Sequence, residues 1–309
     1  MLAARGGRSR RSIIQTGSFL LSCEEWDSVP NAMPGARFGM TGLATWAQYG
    51  SMNAKVFSFA TAGQESATER RPVGASLSDR VRELDWGRLS RDLDSSGNAV
   101  IEGLLTAAEC RELAGLYPAA APFRSRVVMG RHGFGRGEYK YFAYPLPPAV
   151  ATLRTALYPY LVPIANGWNE RMGIDVTFPG EHAEFLTRCQ KAGQSQPTPL
   201  LLQYRADDFN CLHQDLYGEH VFPLQVAVLL SQPGRDFTGG EFVMTEQRPR
   251  MQSRPEVVPL AQGDAVVFAV RYRPVQGTRG VYRVNLRHGV SRLRSGHRHT
   301  LGIIFHDAK

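Results

Sequence analysis

The segment Asn210-Cys-Leu-His213-Gln-Asp215 puts an imidazole and a carboxylate two residues apart. In an extended strand, positions i and i+2 share a face, so both side chains can reach one point. A second histidine, His288, follows 75 residues later at the end of a strand-like run that begins at Val281. Two imidazoles and one carboxylate can cap one face of a metal ion and leave three positions open, the facial arrangement non-haem Fe(II) takes in oxygenases. Three open positions admit a bidentate 2-oxo acid and dioxygen together. Arg298 lies ten residues beyond His288. Its guanidinium can grip the distal carboxylate of 2-oxoglutarate through two parallel, charge-assisted hydrogen bonds. Thr300, two residues along the same strand, can add a hydroxyl, and Tyr204, nine residues before His213, a phenol.

The other histidines fit ordinary duties. His220 lies past Gly218 in a turn, His182 opens a helix and His306 sits near the chain end. Strand alternation turns His297 and His299 away from Arg298. His132, in a glycine-rich loop, is within reach of a substrate. Gln225 and Asn285 are polar residues inside apolar strands, facing a cofactor or pairing within a sheet.

Several elements must position these groups. After Pro197-Thr-Pro199 the pattern is extended: short runs rich in β-branched and aromatic residues at 200–204, 224–230, 241–245, 265–270, 281–286 and 300–305. Turn signals separate them, among them Thr238-Gly-Gly240, Gln262-Gly-Asp264 and Ser295-Gly296. Many short strands without intervening helices predict a β sandwich or barrel. Before them, Ser78-Asp79 opens an amphipathic helix carrying Val81, Leu84, Leu89 and Leu93, and Thr106-Ala-Ala-Glu109 is a capping box. A helical region over 149–171 is expected to break at Pro159 and Pro163, and another helix runs over 181–191. Gly130-Arg-His-Gly-Phe-Gly-Arg-Gly137 reads as a loop over phosphates or a mobile lid. The expected fold class is α+β, a double-stranded β-helix (jelly roll) preceded by a helical region, with divisions at 1–76, 77–197 and 198–309.

The order Tyr204, His213-Gln-Asp215, Phe237-Thr-Gly-Gly-Glu-Phe242, Gly263-Asp-Ala-Val-Val-Phe268, His288-Gly-Val290 and Gly296-His-Arg298 resembles the iron(II)- and 2-oxoglutarate-dependent dioxygenase domain shared with prolyl 4-hydroxylases. The likeness spans about Thr198 to Asp307. It implies a jelly roll with His213, Asp215 and His288 on Fe(II), Arg298, Tyr204 and Thr300 on 2-oxoglutarate, dioxygen as co-substrate, and ascorbate as a supporting reductant. From about Leu77 the chain also resembles a prokaryotic group of nucleic-acid oxygenases thought to reverse base damage. The supporting runs are Arg124-Ser-Arg-Val-Val128, Gly133–Tyr141 and Arg248-Pro-Arg-Met-Gln-Ser-Arg254. This implies DNA or RNA as substrate and oxidative demethylation as the reaction. Leu202 stands where alkylation-repair demethylases carry Asn, and their second arginine has no match near Phe305. A protein or small-molecule hydroxylase, and a non-catalytic jelly-roll module, therefore stay open.

Composition is ordinary for a globular protein that buries a real core: 309 residues, 43% hydrophobic, 21% charged and a net charge of +8. Arginine dominates the 36 basic residues, which permits a polyanionic substrate. No apolar run approaches the ~18–20 residues of a membrane span, so no membrane partner is expected. Cys23, Cys110, Cys189 and Cys211 form no CxxC pair and read as reduced thiols in a cytoplasmic protein. Residues 1–76 lack periodicity and read as disordered or as a translated upstream extension. Ser9-Arg-Arg11 and Leu20-Leu-Ser-Cys23 loosely resemble export signals, but the apolar stretch between them is short and broken by polar residues.

Overall fold

The computed structural model describes residues 75–309, and the readings made for the first 74 residues lie outside them. Two facing antiparallel sheets form the body. The larger runs β1 (Asn98–Ile101), β11 (Ala265–Ala269), β7 (Leu224–Leu229), β14 (Leu293–Ile303), β5 (Leu200–Arg205), β4 (Glu138–Phe142) and β2 (Phe123–Val128), with β8 (Phe237–Gly239) also paired to β14. The smaller runs β10 (Arg254–Val258), β9 (Phe242–Gln247), β13 (Gly280–Val290), β6 (Phe209–His213) and β3 (Gly135–Arg136), with β12 (Tyr272–Gly277) on β13. Every residue of β7 and β11 is buried, because these central strands are covered on both faces; β11 is apolar throughout, and β7 is apolar but for Gln225.

Among the described residues, five α-helices flank the sheets: α1 (Leu77–Arg82), α2 (Trp86–Ser96), α3 (Ala107–Gly115), α4 (Pro148–Arg171) and α5 (His182–Lys191). The single helix expected from Ser78 to Leu93 is two, because Asp85 caps α2 by accepting from the Arg88 amide at 2.8 Å. The capping box of Thr106 and Glu109 is present, and Glu109 also receives the Arg80 guanidinium at 3.0 Å. The expected breaks at Pro159 and Pro163 do not occur; α4 is continuous through both. Each interior proline costs about 3 kcal/mol. Burial of Leu153, Leu157, Tyr158, Leu161, Val162 and Trp168 on its inner face offsets this, at about 1.5–3 kcal/mol per side chain.

Two further readings are corrected. Residues 77–197 are not only helical: β1 to β4 come from this stretch and extend both sheets. Ser295-Gly296 is not a turn between strands but an irregularity inside β14. Gly296 has φ +79°, and a Cβ there would lie 2.0 Å from the Asp236 carbonyl oxygen. Only glycine lets β14 hug β8 at this point and continue towards Arg298. No helix among the described residues is long and apolar enough to cross a membrane.

Candidate metal and oxo-acid site

β6 and β13 pair with His213 directly opposite His288, which brings the two imidazole centroids to 4.2 Å. Asp215, just past the end of β6, reaches both. Its Oδ1 lies 3.4 Å from His213 Nε2 and its Oδ2 3.4 Å from His288 Nε2. One donor atom from each residue falls within 4.8 Å of the others, forming the one such cluster of three among the described residues. His213 Nδ1 donates to the Cys211 carbonyl at 2.8 Å, which leaves Nε2 with its lone pair turned to the cluster. The His288 ring packs 4.5 Å from Phe268 and stacks on Phe242. The Tyr217 hydroxyl donates to Asp215 Oδ1.

The electrostatics suit metal binding. Burial opposes charge on Asp215, yet hydrogen bonds and charge from His213 and His288 hold its carboxyl well below the usual carboxylate range. Burial, with His213 beside it, pushes His288 down and keeps it neutral. For His213, burial pulls downward, but the Asp215 carboxylate outweighs it and leaves the ring above the ordinary histidine value.

The same cavity, of about 190 Å³, is also lined by Arg298. It is 1% exposed, sits opposite Tyr204 in the β14–β5 register, and donates to Thr300 Oγ1 at 2.6 Å. No carboxylate of the described residues pairs with it. Burial drives its pKa from 12.5 down to about 10. Arg298 Nε and the Tyr204 hydroxyl are buried without a hydrogen-bond partner. A buried cation and an orphaned phenol in one cavity fit an anionic ligand that would satisfy both. These residues therefore fit a first-row divalent metal together with a dicarboxylic 2-oxo acid.

All six residues singled out from sequence line this one cavity: Tyr204, His213, Asp215, His288, Arg298 and Thr300. Gln225 lines it too, with Nε2 unpartnered, whereas Asn285 accepts from Gln214 and pairs within the structure. His220 and His297 are outside it, and His182 bonds the Phe305 carbonyl. The glycine-rich loop is not free: Gly135 and Arg136 pair with Asn210 and Phe209 of β6, and Phe134 accepts from the Cys211 amide at 2.9 Å. Arg248 and Arg254 turn back on Glu246, at 2.8 and 3.8 Å. Sequence reading missed Tyr139, Tyr141 and Tyr217, which line the cavity. The i, i+2 spacing of Tyr217 from Asp215 and of Tyr139 from Tyr141 was the available signal.

A jelly roll carrying a His/Asp/His facial set and a buried arginine outside any ion pair is the construction of a 2-oxoglutarate-dependent non-haem iron dioxygenase. The chain belongs to the Oxygenase-NA family, described as oxygenases catalysing oxidative methylation of damaged DNA, which it matches over residues 137–308. Two uncharacterized proteins of Mycobacterium tuberculosis, from strains CDC 1551 and H37Rv, are each 46% identical over 197 residues, covering 62% of this chain and 84% of theirs. Among solved structures, a Pseudomonas putida prolyl-4-hydroxylase aligns with TM-score 0.42 and 14% identity, over 72% of this chain and 99% of that one. A Burkholderia pseudomallei 2OG-Fe(II) oxygenase aligns with TM-score 0.44 and 16% identity, over 77% and 95%.

Proposed function

We propose that His213, Asp215 and His288 hold Fe(II), that Arg298, Thr300 and Tyr204 hold the distal carboxylate of 2-oxoglutarate, and that the substrate is an alkylated base in DNA. Bound iron with 2-oxoglutarate supplies a two-electron oxidation by dioxygen that hydroxylates a C–H bond and yields succinate and carbon dioxide. On a methyl group attached to nitrogen, that hydroxylation gives a hemiaminal that sheds formaldehyde. The net result is removal of the methyl group.

The protein's part is placement. Cys211 fixes the His213 tautomer, and Tyr217 steadies Asp215. Arg298 and Tyr204 orient the oxo acid by its far end, and the apolar walls of Leu200, Leu202, Val226 and Phe242 keep water from the reacting carbon. The observation that carries this reading is the buried guanidinium of Arg298, which forms no ion pair, in the same cavity as the His/Asp/His cluster. On this reading the protein works in the cytoplasm, where DNA is reached, and ascorbate is the supporting reductant.

The test is succinate release from 2-oxoglutarate with Fe(II) and single-stranded DNA bearing N-methylated bases, with formaldehyde as second product. Stoichiometric formaldehyde supports the reading. Stimulation by prolyl peptides and not by DNA would assign a protein hydroxylase. Iron binding with no succinate under any condition would assign a non-catalytic module.

A further inference from the structure

Two of the residues lining the cavity are exposed, Phe134 at 48% and Tyr217 at 36%, so its mouth lies where they stand. Phe134 precedes β3, the edge of the small sheet. It stacks on His132, with centroids 5.3 Å apart and planes 23° off parallel. Beside the mouth, the Arg124 guanidinium lies 4.6 Å over the Tyr141 ring, and Tyr141 lines the cavity. Arg124 uses Nε on the Pro197 carbonyl, and no hydrogen bond among the described residues takes its terminal nitrogens. Arg131, exposed in the same loop as Phe134, has no acidic partner among the described residues. An aromatic ring left in water costs free energy that burial would recover. Here such a ring is anchored by a loop that β6 pins in place, with Arg131 three residues before it and Arg124 resting on Tyr141 of the same cavity.

We infer that this mouth docks single-stranded DNA, with Phe134 stacking on a base next to the one in the cavity and Arg124 and Arg131 holding flanking phosphates. The inference rests on the DNA reading above and adds the surface that would recognise the strand. Stacking is sequence-tolerant because every base has a π face, and guanidiniums suit phosphate. A base inside a duplex cannot enter an enclosed cavity between two sheets. The target must be unstacked, and an unpaired strand meets that need without the cost of opening a duplex.

The experiment measures binding of a labelled single strand of about ten nucleotides to the full chain loaded with Mn(II) and 2-oxoglutarate, by anisotropy across a salt series. Phe134→Ala should weaken binding about 5- to 150-fold, the range set by loss of one stacked base, with the salt slope unchanged. Phe134→Trp should restore it. Arg124→Gln and Arg131→Gln should each flatten the slope of log K against log salt by about 0.7. Thermal melting of each variant separates a binding loss from a folding loss. A change within twofold for Phe134→Ala, or tighter binding of duplex than of single strand, overturns the inference and leaves the DNA reading standing. No binding of either nucleic acid by the unaltered protein overturns both.

Discussion

Replacing Arg298 by methionine should stabilise the ligand-free protein while destroying its response to 2-oxoglutarate. The guanidinium is fully buried and has no acidic partner, and its pKa falls from 12.5 to about 10, burial being the cause. At 1.36 kcal/mol per pH unit, that fall corresponds to about 3 kcal/mol. The folded value lies below the unfolded one, so the charged form is the disfavoured one. The cost is fully present at neutral pH and fades only as pH rises above about 10. Methionine keeps the length of the aliphatic stem and carries no charge. It forfeits the hydrogen bond to Thr300, worth about 1 kcal/mol. The net expectation is a gain of about 2 kcal/mol, or about 4–8 °C in melting temperature for a domain of this size. Urea and thermal unfolding read the first effect. For the second, 2-oxoglutarate with Mn(II) at a hundred times its Kd should add about 2.7 kcal/mol to the unaltered protein and nothing to the variant. A ligand-free variant less stable than its parent, or one still stabilised by 2-oxoglutarate, would refute the assignment of Arg298 as an anion clamp waiting for its ligand.

His213→Ala should abolish both Mn(II) binding and 2-oxoglutarate decarboxylation, since two remaining donors do not complete the facial set; undiminished metal occupancy by calorimetry would count against the site. Tyr217→Phe removes the hydroxyl that donates to Asp215 Oδ1 and should weaken Mn(II) binding about tenfold by titration calorimetry while leaving the fold intact. Metal affinity should fall with pH by about tenfold per unit once His213 takes a proton, and because Asp215 holds this imidazole above its ordinary value, the loss should begin above pH 6.5. Gly296→Ala forces a Cβ onto the Asp236 carbonyl oxygen at φ +79° and should cost about 2–4 kcal/mol in urea unfolding.

Much of the site was legible from residue types and order. A histidine and an aspartate two apart, a distant histidine and an arginine ten beyond it share a chemistry that few other sets satisfy, and all four line one cavity. The central strands were equally legible, because β7 and β11 are buried on both faces and so are apolar at every position but Gln225. The strands contributed before residue 197 were not. β2 and β4 have mixed, half-buried sequence, and their place in the sheet comes from β4 pairing with β5 and carrying β2 on its other edge, a long-range choice that local pattern does not encode. The continuity of α4 escaped for a related reason: proline argues locally for a break, and the tertiary burial of its neighbours overrules it.

By itself, then, the amino-acid order determined which atoms were on offer: two imidazoles, one carboxylate and one guanidinium, on strands of a β-rich fold. Tertiary structure alone decided that His213 faces His288 across β6 and β13, that Arg298 is buried without an ion pair, and that tyrosines and an exposed phenylalanine frame the opening. Donor types are properties of single residues. Register, burial and the lack of an ion pair belong to pairs of segments far apart in sequence, and only packing brings those together.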